Sequence, residues 1–595
     1  MNTLQKYEKY LYLILLIGTF VYSPIFFNGF VWDDFTFILN NSQLHQLNIP
    51  ALFGSSIFNS GPFYRPIPAV YFTFLYTLSG NHALLYHLLQ LALHLADTFL
   101  LFIFLGLFFT DGIAFFLALI FLVHPINVES VAYIGATQSE LYFLPGIIAL
   151  LLATRKNLTR SKFLWISGLL LLATLTKETG FLFYLLILVY RFLFKLGNLK
   201  KFFLLGITII AIYVVLRIFV GGVVFQEANY IPIAALSLQQ RLLNIPAIMF
   251  YYIKTFVFPS TLTIWQSWVI TKITVPSFTF PLIICLLFFT LIAYFITILA
   301  EQTKKSVQTT QALQNQKKHI QERHASLNEF LFFVIWFIIG IGLILQIVPL
   351  DMTVADIWFY FPIVGLLGML GVTLQFFQPA IKKHNIIFLF GAIIIICLLS
   401  QRTFLRTFDW RNQLTIYADA RHQNYENYML DNAYADQLFN TGKHSEAIMY
   451  EERSIAISPT LIDVSLLGEF YRELNQCDAA IPEYENALTY YKAPTQVHNG
   501  LMPQEDLALE VTYINLTDCY MRTGLPQSAI DLITNKALKK FPSNSRLYFI
   551  LSVAYYQVGD QQQALNAISK AYTLSPDPLV TKVYNQLKNN IPLSP

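Results

Sequence analysis

Asn28-Gly-Phe-Val-Trp-Asp-Asp-Phe35 sets two adjacent carboxylates, Asp33 and Asp34, just beyond an apolar run that ends near Phe27. The run is close to the length of a membrane span, so the charged pair falls where the chain leaves the bilayer. Neighbouring acids cannot share a helical face, and a strand would point them to opposite sides. One can therefore be aimed at chemistry while the other anchors the loop or neutralises a cation. The plainer alternative is a membrane helix that ends in solvated charge.

Lys6 and Lys9 precede the run. By the positive-inside rule they hold the N-terminus in the cytoplasm and put Asp33 and Asp34 on the opposite side. No small-residue cleavage site follows the run, which reads as a retained signal anchor. The 595 residues are 55% hydrophobic and 12% charged, the composition of a polytopic membrane protein. A net charge of +4, spread thinly, gives no basis for nucleic-acid binding. Cys285, Cys397, Cys477 and Cys519 are far apart and form no metal pattern.

A long loop over 28–80 follows the first span and carries an amphipathic piece over 65–74. Apolar runs then recur at 83–108, 112–123, 137–153, 163–176, 180–194 and 202–220, and again at 280–300, 329–348, 357–376 and 386–400. Basic linkers over 155–162 and 191–201 read as cytoplasmic. So do the loop 301–328, with Lys304, Lys305, Lys317 and Lys318, and the turn at Lys382 and Lys383. The run 243–258, bracketed by Pro246 and Pro259, fits the charge pattern as a re-entrant or surface-lying segment. The expectation is an all-α membrane domain of about eleven spans over 1–400, a linker over 401–423, and a tail on the side of the acid pair.

From 424 the apolar runs stop and a period near 34 begins, the tetratricopeptide (TPR) length. Thr441-Gly442 precedes Ala447 and Pro459; Gln476-Cys-Asp-Ala-Ala480 runs on to Pro494; Gly524 precedes Ala529 and Pro542; Gly559 precedes Ala564 and Pro576. Small residues admit close helix packing and proline ends each second helix. About four units fit in 424–595, with an interruption near 491–508 and a capping helix over 579–595. The reading is a TPR α-solenoid.

Ionisable residues gather at the outer ends of the spans: Asp33, Asp34, Arg65, His87, His94, His124, Glu129, Glu140, Lys177, Glu178 and Asp356. Charge at membrane depth is costly, so these are functional candidates, with hydrogen-bonded packing and interfacial ion pairs as the plainer readings. His87 and His94 share a helical face, but no third ligand stands at a fixed spacing, so no metal site is assigned. There is no phosphate-binding loop, no Gly-x-Ser-x-Gly and no His-Glu-x-x-His. An acid pair with cations beside a large apolar body suits a lipid-phosphate substrate: a carboxylate takes a proton from an acceptor hydroxyl while cations hold the departing phosphate.

Asn28-Gly-Phe-Val-Trp-Asp-Asp34, then Tyr64-Arg-Pro66, His124-Pro-Ile-Asn-Val-Glu-Ser-Val-Ala132 and Thr176-Lys-Glu-Thr179, in that order and ahead of a TPR tail, resemble the transmembrane and TPR-containing O-mannosyltransferases of the GT-C superfamily. The resemblance covers essentially the whole chain. It implies an inverting transferase that moves a hexose, by family mannose, from a polyprenyl-phosphate donor to a hydroxyl acceptor such as protein Ser or Thr. It makes Asp33 and Asp34 the catalytic candidates, Arg65, His124 and Lys177 the donor-phosphate contacts, and Glu129, Glu140, Glu178 and Asp356 the pocket. The co-substrate would be the lipid-linked sugar, with no resident cofactor. The partners would be a protein or glycan acceptor and a protein bound in the TPR groove. Two stretches depart from the family: Thr137-Gln-Ser-Glu140 and Ala355-Asp-Ile-Trp-Phe-Tyr-Phe-Pro362 keep an acid but lack the family arginine, with Ile357 in its place in the second. A membrane scaffold that has lost catalysis and binds a partner through its TPR array is the second reading; a flippase for lipid-linked sugars is the third.

Overall fold

The computed structural model describes residues 3–54, 56, 63–223, 232–312, 326–423, 427–492 and 504–593. Pro494, Lys317 and Lys318 lie outside them. The chain divides into two compact units, Met1–Gln423 and Asn424–Pro595. Both are helical; among the described residues the one β contact is an isolated antiparallel bridge between Gln266 and Val354.

Among the described residues of the first unit five helices are long and apolar enough to cross a membrane: Leu84–Leu105, Ile134–Ala153, Leu199–Val220, Val275–Lys304 and Asn385–Asp409. A sixth span arises if Asp111–Val123 and Pro125–Ala132, bent by 48°, are taken together. Leu327–Gly342 and Pro362–Phe376 are apolar but shorter. The count of about eleven spans is therefore not supported. Apolar runs overcount spans because a buried bundle helix and a membrane-crossing helix have the same composition. The bend falls at His124-Pro125, where proline disfavours a helical residue before it. The 243–258 run belongs to one helix, Leu238–Val257, with Pro246 inside it. Residues 401–423, expected as a linker, are helical: Asn385–Asp409 runs through the first part, and Gln413–Gln423 buries Ile416, Tyr417 and Ala420.

Glycine faces bring helices together. On Pro362–Phe376, a Cβ at Gly365 would meet the Phe337 backbone at 2.5 Å, and one at Gly368 would collide with the Phe333 ring. This is the small-residue packing by which apolar helices associate without a hydrophobic drive between them. Two irregular segments, 259–274 and 343–355, are pinned by buried amides. Gln346 donates to the Met352 and Thr353 carbonyls at 2.7 and 3.0 Å and accepts from Leu350 N–H at 2.9 Å. Asn244 accepts from Ile270 N–H at 2.7 Å and donates to its carbonyl at 3.2 Å.

The second unit is built of helix pairs: Tyr428–Asn440 with His444–Ile457, Leu461–Glu473 with Cys477–Thr489, Gln504–Arg522 with the helical stretch 526–540, and Ser545–Gln557 with Gln561–Leu574. Pro578–Lys588 follows the last pair. Each first helix ends on a left-handed residue, Gly442, Asn475, Gly524 and Gly559, the conformation that stops a helix and turns the chain. Ala447, Ala480, Ala529 and Ala564 are fully buried at equivalent places in the second helices. All four cysteines are free.

Candidate functional site

Asp33 and Asp34 diverge. Asp34 is fully buried. Its Oδ2 accepts from Val31 N–H at 2.9 Å and its Oδ1 from Gly135 N–H at 2.7 Å. Both oxygens are thus committed to backbone, tying the first loop to the start of the span Ile134–Ala153. Burial pushes this carboxyl above the usual range against the pull of those bonds. Asp33 is half-buried with its carboxyl pushed up to about 6, by burial first and then by the charge of Asp351, while the Tyr133 hydroxyl holds it down.

The cations assemble around Glu178. Arg65 donates through Nε and Nη2 to Glu178 Oε2, both at 2.9 Å, and through Nη1 to Gln138 Oε1 at 2.7 Å. Gln138 in turn donates to the Gly135 carbonyl at 3.0 Å, so one backbone turn carries both Asp34 and the Arg65 anchor. Gln138 lies in the stretch where the family arginine is missing. Glu178 also accepts from Tyr213 Oη at 3.0 Å and sits 3.6 Å from Arg217. Burial would push the Glu178 carboxyl up, but the Arg65 guanidinium overrides it and holds the carboxyl low. Lys177 Nζ is 3.4 Å from Ser139 Oγ, with its ammonium pushed down to about 8 by burial and by Arg65. The Lys177-Glu178 turn is set by Gly180, where a Cβ would collide with the Ala173 carbonyl.

Asp351 completes the group and carries no sequence motif. It is exposed, yet crowding by protein raises its carboxyl, against Arg65 and Lys177, which lower it. Glu178 likewise has a side chain 35% exposed while feeling strong burial. Groups that are open to solvent but walled by protein line a recess. Asp351 and Glu178 border this one, and their charges reach Arg65 and Lys177, with Asp33 joined to them through Asp351.

The remaining candidates lie elsewhere. His124 is a helix cap: its Nδ1 accepts from Ile126 N–H at 3.2 Å, which leaves Nε2–H to donate to the Phe256 carbonyl at 3.1 Å. Both nitrogens are committed to backbone, so the placement does not match the expected phosphate contact. Glu129 accepts from Ile357 N–H at 3.1 Å, so the residue standing where the family has arginine contributes its backbone. Asp356 accepts from Tyr251 Oη at 2.5 Å, and burial pushes its carboxyl up to about 7. Arg406 lies close to this second acidic group and is itself bonded to Asp409 and Asp419. Glu140 is fully buried and neither of its oxygens has a hydrogen-bond partner among the described residues, so it does not line the recess. His94 bonds Tyr360 Oη at 2.9 Å and the Leu122 carbonyl at 3.1 Å. Among the described residues no group of three or more His, Cys, Asp or Glu is spaced to hold a metal ion.

An aromatic row borders Asp33. Trp265 is 6.1 Å from Trp32, Trp32 is 5.4 Å from Tyr133, and Tyr133 is stacked 5.6 Å from Trp410. Trp32 and Trp265 hold left-handed backbone angles, φ 52° and 58°. Each costs about 1–2 kcal/mol for a residue with a Cβ. In the second unit a cavity of about 320 Å³ is lined by Glu485, Leu488, Thr489, Leu516, Tyr520, Leu532 and Lys536.

The fold and site together define a helical membrane protein with an acid-and-cation recess and a tetratricopeptide tail. Residues 518–577 match a tetratricopeptide repeat family model. The chain is similar to human protein O-mannosyl-transferase TMTC3, 29% identical over 188 residues, covering 29% of this chain and 20% of that protein. It is also similar to protein O-mannosyl-transferase F38B6.6 of Caenorhabditis elegans, 28% identical over 270 residues, covering 42% of this chain and 38% of the other. The matches span a fifth to two-fifths of those relatives' length. The chain is thus a homologue of proteins named O-mannosyl-transferases, and it carries the repeat that the resemblance called for. Among solved structures the TPR protein YrrB aligns over 35% of this chain at 17% identity with a TM-score of 0.25, a likeness too weak to carry argument.

Proposed function

We propose that this chain is a membrane-embedded glycosyltransferase that moves a hexose, by its relatives mannose, from a polyprenyl-phosphate donor to a hydroxyl of a protein acceptor. The observation that carries the reading is the division of labour in the acid pair. Asp34 spends both oxygens on backbone N–H groups, while Asp33, its carboxyl raised to about 6, feels the charge of Asp351, which in turn feels those of Arg65 and Lys177. A base poised near working pH suits proton abstraction from a hydroxyl. Asp33 takes the acceptor proton as the new O–C1 bond forms. The C1–O bond to phosphate breaks, and the polyprenyl phosphate leaves toward Arg65 and Lys177, which offset its charge. A single displacement inverts the sugar carbon. Glu178 holds the Arg65 fork, and Glu129 and Asp356 brace the neighbouring loops.

In this reading the N-terminus is cytoplasmic, the recess and the repeats are extracytoplasmic, and the TPR groove recruits the acceptor protein. The test is transfer of label from a radiolabelled polyprenyl-phosphate mannose to membrane-protein extract by the purified full chain. Label that appears with the wild type and disappears with Asp33→Asn supports the reading. No transfer from any hexose donor, by a protein that melts cooperatively, moves the weight to the partner-binding scaffold.

A further inference from the structure

Seven residues other than glycine hold left-handed backbone angles among the described residues, and two of them are tryptophans, Trp32 and Trp265. Asparagine, which accounts for three of the others, tolerates this region; a bulky aromatic does not, and such outliers cluster where function over-determines the backbone. The two strained tryptophans lie side by side, 6.1 Å apart. They form the outer, half-buried end of the row whose inner rings, Tyr133 and Trp410, are buried. The inner rings fix the row from within. Asp33 follows Trp32 in sequence, and the segment of Trp265 is held by its neighbour Gln266, which bridges to Val354, three residues after Asp351. The two half-buried rings thus sit in the chain segments that carry Asp33 and that bridge to the Asp351 loop. Core packing alone calls for neither the strain nor the exposure.

We infer that Trp32 and Trp265 form a platform for a hexopyranose ring. The C–H faces of a pyranose carry partial positive charge and are attracted to the negative face of an indole, while carboxylates accept from the ring hydroxyls. The inference rests on the transferase reading for its choice of sugar. The hexose is either the donor's sugar or one already on a glycan acceptor; both present the same ring chemistry.

The experiment is binding to the full chain in nanodiscs, by calorimetry, of three probes: a short-chain polyprenyl phosphate mannose, the same polyprenyl phosphate without sugar, and methyl mannoside. The mannosyl lipid is expected to bind about tenfold tighter than the bare lipid, the worth of one good aromatic contact. Trp265→Ala should erase that preference and Trp265→Phe should keep most of it, with binding of the bare lipid unchanged in both. Because glycine accepts φ 58°, Trp265→Gly removes the ring without the strain and serves if the alanine variant folds poorly. Methyl mannoside that binds through Trp265 while bare lipid saturates the site assigns the platform to the acceptor side; its failure there, with the lipid preference intact, assigns it to the donor. A preference that survives both Trp265→Ala and Trp265→Gly overturns the inference. Trp265-dependent binding without any transfer leaves the platform standing and removes the transferase; undiminished transfer by Trp265→Gly does the reverse.

Discussion

Replacing each acid of the pair by its amide separates the two roles. The Asp33→Asn side chain keeps the size of the original but cannot take a proton. Loss of a positioned base costs about 10²–10⁴-fold in rate, or about 3–5 kcal/mol of barrier. Stability of this variant should hold or rise, because a half-buried carboxyl raised to about 6 is destabilising in its charged form at neutral pH. Asp34→Asn leaves one acceptor oxygen where the carboxylate has two, so either Val31 N–H or Gly135 N–H faces an amide NH₂. A buried donor left unpaired costs about 1–3 kcal/mol. At about 2.1 cal/mol/K of unfolding entropy per residue, that is about 1–3 °C in a unit the length of Met1–Gln423. The assay is transfer per folded molecule beside a thermal melt of each variant in detergent. Asp33→Asn should lose transfer and keep its melting temperature. Asp34→Asn should melt lower and stay within about tenfold of wild type per folded molecule, since no proton passes through it. Transfer lost in Asp34→Asn at an unchanged melting temperature, with Asp33→Asn active, would refute the assignment.

Other outcomes follow from the same recess. The transfer rate should be bell-shaped in pH. It falls below about 6 as Asp33 is protonated, and above about 8 as Lys177 loses its charge. Lys177→Arg should extend the alkaline limb. Asp351→Asn should move the acid limb down, because it removes a negative charge that favours protonated Asp33. Arg65→Lys cannot hold Glu178 and Gln138 together. Losing one charged hydrogen bond of about 1.5–3 kcal/mol should lower kcat/KM by about 10–100-fold, measured against a stability control. Gly180→Ala forces a Cβ toward the Ala173 carbonyl oxygen; overpacking of this kind costs about 1–3 kcal/mol. It should shift Lys177 and Glu178, reducing both the melting temperature and transfer.

The repeats are legible in the sequence because their signal is local. Gly442, Gly524 and Gly559 mark turns that need left-handed backbone, and the buried alanines mark helix crossings, so a fixed period exposes both. Asn475 plays the same part in the second repeat without a glycine. The span count is not legible. Leu327–Gly342 and Pro362–Phe376 are as apolar as a span, but they pack through Gly365 and Gly368 against aromatic residues, and hydropathy cannot separate lipid from a neighbouring helix.

The site is legible as a list but not as an arrangement. Sequence order predicts Asp33, Arg65 and Lys177 on one side of the membrane, and in the structure Asp351 is the residue whose charge reaches all three. Sequence order does not separate Asp33 from Asp34, because that distinction depends on Gly135 N–H, about a hundred residues away. His124 misleads for a related reason: its charge-bearing ring looks available, while its nitrogens close a helix start and a distant carbonyl. Asp351 has no signal at all. It stands in an irregular loop with no motif of its own, positioned by Gln346 and by the Gln266–Val354 bridge. A residue whose role comes from where a pinned loop is held can be found only once the pins are seen. The missing arginine near 137–140 makes the same point in reverse: Gln138, standing in that stretch, accepts from the Arg65 guanidinium at 2.7 Å, a bond that an arginine there could not accept.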